Sequence, residues 1–209
     1  MTKSFRIAAF ACVVIVAGSR IARADSIGPN CATCQGSIYT LTNLGLVTDL
    51  NTSDGVSDTW RMMLTIDTSG YTGDGVRIDE VAIKVSSGTD AATIFAGPGG
   101  AGTWKLVPGG ISSDGCSKTG SGFDCADWLG VGTGALVNGS TLSWIFDVDV
   151  NGGLLLGSNE ATIKARYVDG SGQKVGSLVS ENITVPEPSV FGLLAAGLSF
   201  IGLRRRARA

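Results

Sequence analysis

The 209-residue sequence contains no histidine. That absence removes Ser-His-Asp triads, histidine general bases and histidine metal ligands, and with them most hydrolase and metalloenzyme designs. Helical periodicity is almost missing too, which argues against any helical bundle. There is no internal repeat, and no shift in composition marks a second domain. Basic residues are scarce in the middle of the chain. Lys3, Arg6, Arg20 and Arg23 lie at one end, and Arg204, Arg205, Arg206 and Arg208 at the other. Residues 25–188 keep eight Lys/Arg against eighteen Asp/Glu, a net charge of −10, whereas the whole chain carries −2. A body this acidic does not hold nucleic acid through its phosphates and is repelled by anionic membrane surfaces. It suits solubility, divalent cations and hydrated polysaccharide.

What is present is alternation. Trp60, Met62, Leu64 and Ile66 alternate with Arg61, Met63, Thr65 and Asp67. Leu142, Trp144, Phe146, Val148 and Val150 alternate with Ser143, Ile145, Asp147 and Asp149, and Ala161, Ile163, Ala165 and Tyr167 with Thr162, Lys164 and Arg166. Side chains of a strand point alternately to two faces, so each run reads as a half-buried strand. Gly, Asp and Asn turns bound them, as at Asp54-Gly55, Asp74-Gly75 and Asp169-Gly170. Val76 and Ile78 share one phase, and Val81, Ile83 and Val85 the other. The switch at Asp79-Glu80 predicts a β-bulge or a strand crossing between sheets. Further strands are expected near residues 37–41, 92–95, 104–107 and 178–185. The glycine-rich span 97–139 reads mostly as a structured loop. The expected fold is all-β, an antiparallel β-sandwich of jelly-roll or immunoglobulin-like type, over residues 25–184. About 160 residues are enough for one domain with a real core.

The two ends read differently. Lys3 and Arg6 precede an apolar run, residues 7–18, and Ala22-Arg23-Ala24 has the small-x-small form of a cleavage site. Residues 1–24 are therefore expected to be a secretory signal peptide, with the mature chain starting at Asp25. At the other end stand Pro186-Glu187-Pro188, an apolar run over residues 190–203, and Arg204, Arg205 and Arg206. The prolines lock two φ angles and keep the motif extended. The apolar run is short for a spanning helix, which needs about 20 residues, but snorkelling arginines bring it close. The arginines would stay on the cytoplasmic side of the inner membrane during transit. An apolar helix is expected here.

This tripartite end, residues 185–209, resembles the PEP-CTERM sorting signal of bacterial exosortase substrates. The resemblance rests on Pro186, Glu187, Pro188, the apolar run and Arg204, Arg205 and Arg206, all in order. It implies a Gram-negative bacterium that makes exopolysaccharide. It also implies an exosortase partner, a membrane-embedded cysteine transpeptidase that cleaves near the motif.

Of five cysteines, Cys12 leaves with the signal peptide, so Cys31, Cys34, Cys116 and Cys125 remain. An even number in an exported chain implies disulfides. Three connectivities are possible, and the local pairs Cys31–Cys34 and Cys116–Cys125 are expected. Cys31 and Cys34 also have thioredoxin-like C-x-x-C spacing, but that chemistry needs a helix after the motif, and here a strand-like run follows. A zinc site built from all four thiolates is opposed by the oxidising compartment and by the wide second spacing.

The acidic residues offer two weak sites. Asp147 and Asp149 lie on one face of one strand, and a carboxylate pair suits a glycosidase or lyase. The bland alternative is a solvated strand face. Asp147, Asp149 and Asn151 also match the first half of a D-x-D-x-N-G calcium loop, but position twelve is Ser158 and the run overlaps a strand. Asp67 with Asp74, and Asp54 with Asp58, are other acidic turns. Trp60 and Trp144 read as core. Trp104 and Trp128 flank the cysteine loop and are the candidate glycan contacts. The expectation is a non-enzymatic cell-envelope or extracellular-matrix protein, structural or adhesive, with exopolysaccharide or biofilm. A carbohydrate-binding module is the alternative, and a secreted carboxylate-dependent glycosidase or lyase the next. No cofactor is required, calcium being the one candidate.

Overall fold

The computed structural model describes residues 25–185 apart from residues 55, 57, 118–121 and 156. The expected signal peptide, the apolar helix and the motif residues from Pro186 onward lie outside the described residues. Within them no helix is long and apolar enough to cross a membrane.

The strands in chain order are β1 (Asp25–Ile27), β2 (Ile38–Leu46), β3 (Thr59–Asp67), β4 (Arg77–Lys84), β5 (Ser86–Ala96), β6 (Trp104–Pro108), β7 (Ile111–Ser112), β8 (Gly115–Cys116), β9 (Phe123–Trp128), β10 (Ala135–Leu136), β11 (Thr141–Leu154), β12 (Gly157–Val168) and β13 (Val179–Val185). One sheet has the order β1-β2-β3-β11-β5, and the other β13-β12-β4-β9-β6 with β10 beside β4. Strands β7 and β8 form a separate hairpin. Every strand pair is antiparallel. The chain is a β-sandwich.

The alternating residues meet between the sheets. Met62, Leu64, Ile66, Trp144, Phe146 and Val148 from the first sheet join Ile78, Val81, Ile83, Ile163, Ala165 and Tyr167 from the second in one buried cluster. Burying each large apolar side chain is worth roughly 1.5–3 kcal/mol. The predicted phase switch in β4 is a β-bulge. Glu80 pairs with Arg166 and Ile78 with Tyr167, so Asp79 has no partner of its own across the ladder. The crossing between sheets lies further on, at the buried Val85 that joins β4 to β5. The β11-to-β12 crossing meets it there, the Leu155 amide donating to the Val85 carbonyl at 2.7 Å.

Most of the span 97–139 lies outside strands, as expected, but it holds more strand than the single run near 104–107. It carries β6 and β10, the β7–β8 hairpin, and β9, which lies inside the second sheet between β4 and β6. Strand β9 shows no clean alternation because both of its faces are covered. Ala126 joins the main core, while Cys125 packs with Ala82 and Ile111 on the opposite face.

Candidate functional site

Strand β13 carries the chain out of the domain. It pairs with β12 and forms one edge of the second sheet. Two contacts from the N-terminal segment hold it. The Thr184 amide donates to Asp25 Oδ2 at 3.2 Å, and Thr33 Oγ1 donates to Glu181 Oε1 at 2.6 Å. Thr33 belongs to the tight loop closed by the Cys31–Cys34 disulfide, and Gln35 just beyond it donates to the Ser177 carbonyl at 3.0 Å. The first and last strands of the domain are thereby clamped together. The motif is followed by β2, not by a helix, so the backbone that lowers a thiol pKa in redox C-x-x-C sites is missing here.

The second disulfide joins Cys116 to Cys125 and straps the β7–β8 hairpin onto β9. Both expected local pairs are present, so the four sulfurs are bonded in pairs and are not thiolates. Beneath the hairpin lies a charged group. The bulge at Asp79 turns two consecutive acids toward one arginine. Arg166 donates to Asp79 through Nε at 3.1 Å and Nη2 at 2.6 Å, and its Nε lies 3.4 Å from Glu80 Oε2. Gly115, at φ +121°, lets the hairpin approach so closely that a Cβ there would stand 2.5 Å from Glu80 Oε1. Burial, with Asp79 and Asp127 nearby, pushes the Glu80 carboxyl up to about 7 against the pull of Arg166.

The carboxylates Asp147 and Asp149 are not on a solvated face. Asp147 is clamped by Arg61, whose Nε and Nη2 donate at 2.7 and 2.8 Å, and the guanidinium stacks on Phe95 with its Cζ 3.6 Å from the ring centroid. Asp149 is fully buried because the segment 47–58, between β2 and β3, folds back over it. The two acids are held by different neighbours, Asp147 by Arg61 and Asp149 by the segment between β2 and β3. The D-x-D-x-N-G run is also strand throughout its first half, with Asn151 opposite Gly88 in the β11–β5 ladder. The structure instead brings Asp149 together with Asp49 and Asp58, one carboxylate oxygen from each lying within 4.8 Å of the others. Asp49 carried no periodic signal. Its place among Thr48, Asn51, Thr52, Ser53 and Asp54 in a polar turn was the only clue. Asp67 makes its own turn with the Ser69 amide at 2.9 Å.

Trp104 is core, not a glycan platform. It is 3% exposed, its indole N–H donates to the Pro98 carbonyl at 2.9 Å, and it meets Trp144 and Trp128 edge-on at 5.3 and 5.1 Å. The glycine at position 97 permits this, since a Cβ would stand 2.5 Å from Trp104 Cδ1. Trp128 is half-buried, with its N–H on the Gly132 carbonyl at 3.3 Å.

Residues 184–206 match the family model of the PEP-CTERM protein-sorting motif. This terminus is a PEP-CTERM sorting signal. It begins on the last two residues of β13, the strand that the N-terminal segment clamps. Pro186, Glu187, Pro188, Arg204, Arg205 and Arg206 all fall within the match. The signal implies export, processing by exosortase, and a surface or extracellular destination. No curated protein matches the chain.

Proposed function

We propose that this exported, exosortase-targeted protein is a non-enzymatic component of the extracellular matrix, structural or adhesive, and associated with exopolysaccharide. The observation that carries the reading is the sorting signal at residues 184–206, because exosortase processing, by the resemblance, accompanies exopolysaccharide production. The rest of the chain is consistent in kind. A body at −10 stays hydrated and does not adhere to anionic lipid. Two disulfides stabilise a domain that works outside the cell. The carboxylates that best suited a glycosidase are engaged by Arg61 and by the segment over Asp149. The C-x-x-C pair is a closed clamp on the exit strand.

The test is where the protein goes when the polymer is gone. In the producing bacterium the processed protein should fractionate with the matrix. In a strain unable to make exopolysaccharide it should pass into the medium. Equal partition in both strains would contradict the reading. A defined carbohydrate-binding module is the second reading, favoured by the partial exposure of Trp128. Glycan-array binding that is lost in Trp128→Ala would replace a general matrix association with that specific one.

A further inference from the structure

The segment 47–58 connects β2 to β3 and closes over β11. Its hydrogen bonds show how. The Asn51 amide donates both to Asp49 Oδ1 and to Asp149 Oδ2, each at 3.1 Å. The Thr59 hydroxyl is likewise shared, at 3.3 Å to Asp49 Oδ1 and 3.1 Å to Asp149 Oδ2. Thr59 Oγ1 in turn accepts from the Leu50 amide at 2.9 Å. Two donors thus serve two carboxylates through one oxygen of each. Asp149 Oδ1 is left over. It is shielded from solvent and has no hydrogen-bond partner, on a residue that is itself 0% exposed. A buried carboxylate oxygen without a donor is costly, and anionic neighbours make it more so.

The cations of the described residues are engaged elsewhere. Arg61 holds Asp147, Arg166 holds Asp79 and Glu80, and Lys105 holds Asp127. No Lys or Arg among the described residues pairs with Asp49 or Asp149. Yet one oxygen each of Asp49, Asp58 and Asp149 lies within 4.8 Å of the others. Calcium takes oxygen ligands at roughly 2.3–2.6 Å, so two oxygens sharing one ion stand at most about 5 Å apart. The ligand set is oxygen only, with no thiolate or imidazole, which selects a hard cation.

We propose that Asp49, Asp58 and Asp149 bind one calcium ion, which fastens the segment 47–58 to the central strand β11. Three carboxylates supply part of a shell of about six to eight oxygens, leaving room for water. The sequence pointed to Asp147, Asp149 and Asn151 on a single strand. The site takes only Asp149 from that run and draws its other ligands, Asp49 and Asp58, from the connection between β2 and β3. It stands whether or not the matrix reading holds.

The test uses the full chain, purified in detergent with its disulfides intact and stripped with a chelator. Calcium chloride is titrated in by calorimetry, and Tm is read in parallel. One ion should bind per chain. At ten times the dissociation constant, Tm should rise by about 3–6 °C. Asp49→Asn and Asp58→Asn should each weaken binding at least tenfold. Asp74→Asn, in another acidic turn, should bind as the unaltered chain does. Should either ligand variant fold poorly, the titration of the unaltered chain still decides. No heat and no Tm shift up to 10 mM calcium would overturn the proposal. So would binding that survives both ligand variants. Stabilisation by acidification alone, with no response to calcium, would assign a shared proton to the cluster and overturn it as well.

Discussion

Glu80 lies under a two-stranded hairpin with the Arg166 guanidinium 3.4 Å away. That cation is shared, because Asp79 takes its two shorter hydrogen bonds. Asp124, on β9, has less help. It is 2% exposed, and the Thr89 hydroxyl donates to it at 3.0 Å. Burial raises both carboxyls, Glu80 from 4.5 to about 7 and Asp124 from 3.8 to about 6. The folded chain therefore holds protons that the unfolded chain gives up near pH 4. Their contribution to stability is complete below pH 4 and is lost as pH rises through 6 and 7. Denaturant melts should show stability declining from pH 5 to 8, with Glu80→Gln/Asp124→Asn flattening much of the decline. A profile that rises over this range, or that the double variant leaves unchanged, would contradict the assignment. None of this was visible in the sequence. Asp79-Glu80 announced a change of phase, not a buried acid, because the hairpin that covers Glu80 comes some thirty residues later in the chain.

Elements were legible where one face was dry and the other wet. Strands β3, β11 and β12 alternate because one face of each fills the space between the sheets. The bulge in β4 was legible as a break in that same rhythm. Strand β9 was not, since the β7–β8 hairpin covers its outer face and Asp124, Cys125 and Ala126 are all buried. Trp104 was misplaced for a related reason. A tryptophan beside Gly97-Pro98-Gly99-Gly100 reads as loop, yet Gly97 is what lets the backbone close over its indole. The hairpin also makes a prediction of its own. The Cys116–Cys125 bridge spans nine positions, a loop whose closure is worth about 2–3 kcal/mol. Cys116→Ser/Cys125→Ser should lose about that much in denaturant melts. Because the strap also seals Glu80, the same variant should bring the Glu80 titration, followed by NMR, down toward its ordinary 4.5. An unchanged Glu80 titration would show that the hairpin closes without the bridge.

The whole molecule joins a sandwich to a sorting signal of a different kind. The sandwich was legible through its period and its turns. The acidic cluster and the clamp on β13 were not, since both depend on residues about 90 to 160 positions apart that only the topology brings together. The sorting signal was legible without any fold, because a processing enzyme reads it as a linear stretch. The near-neutral net charge of −2 hid its meaning until the two basic ends were set apart from a body at −10. The central claim is that this acidic sandwich is exported on a terminus that exosortase processes. Intact mass of the protein from wild-type cells and from cells lacking exosortase tests it most directly. The wild-type protein should have lost Arg204, Arg205 and Arg206, and the deletion strain should retain them on a membrane-bound form. A wild-type protein whose mass still includes those arginines would contradict it.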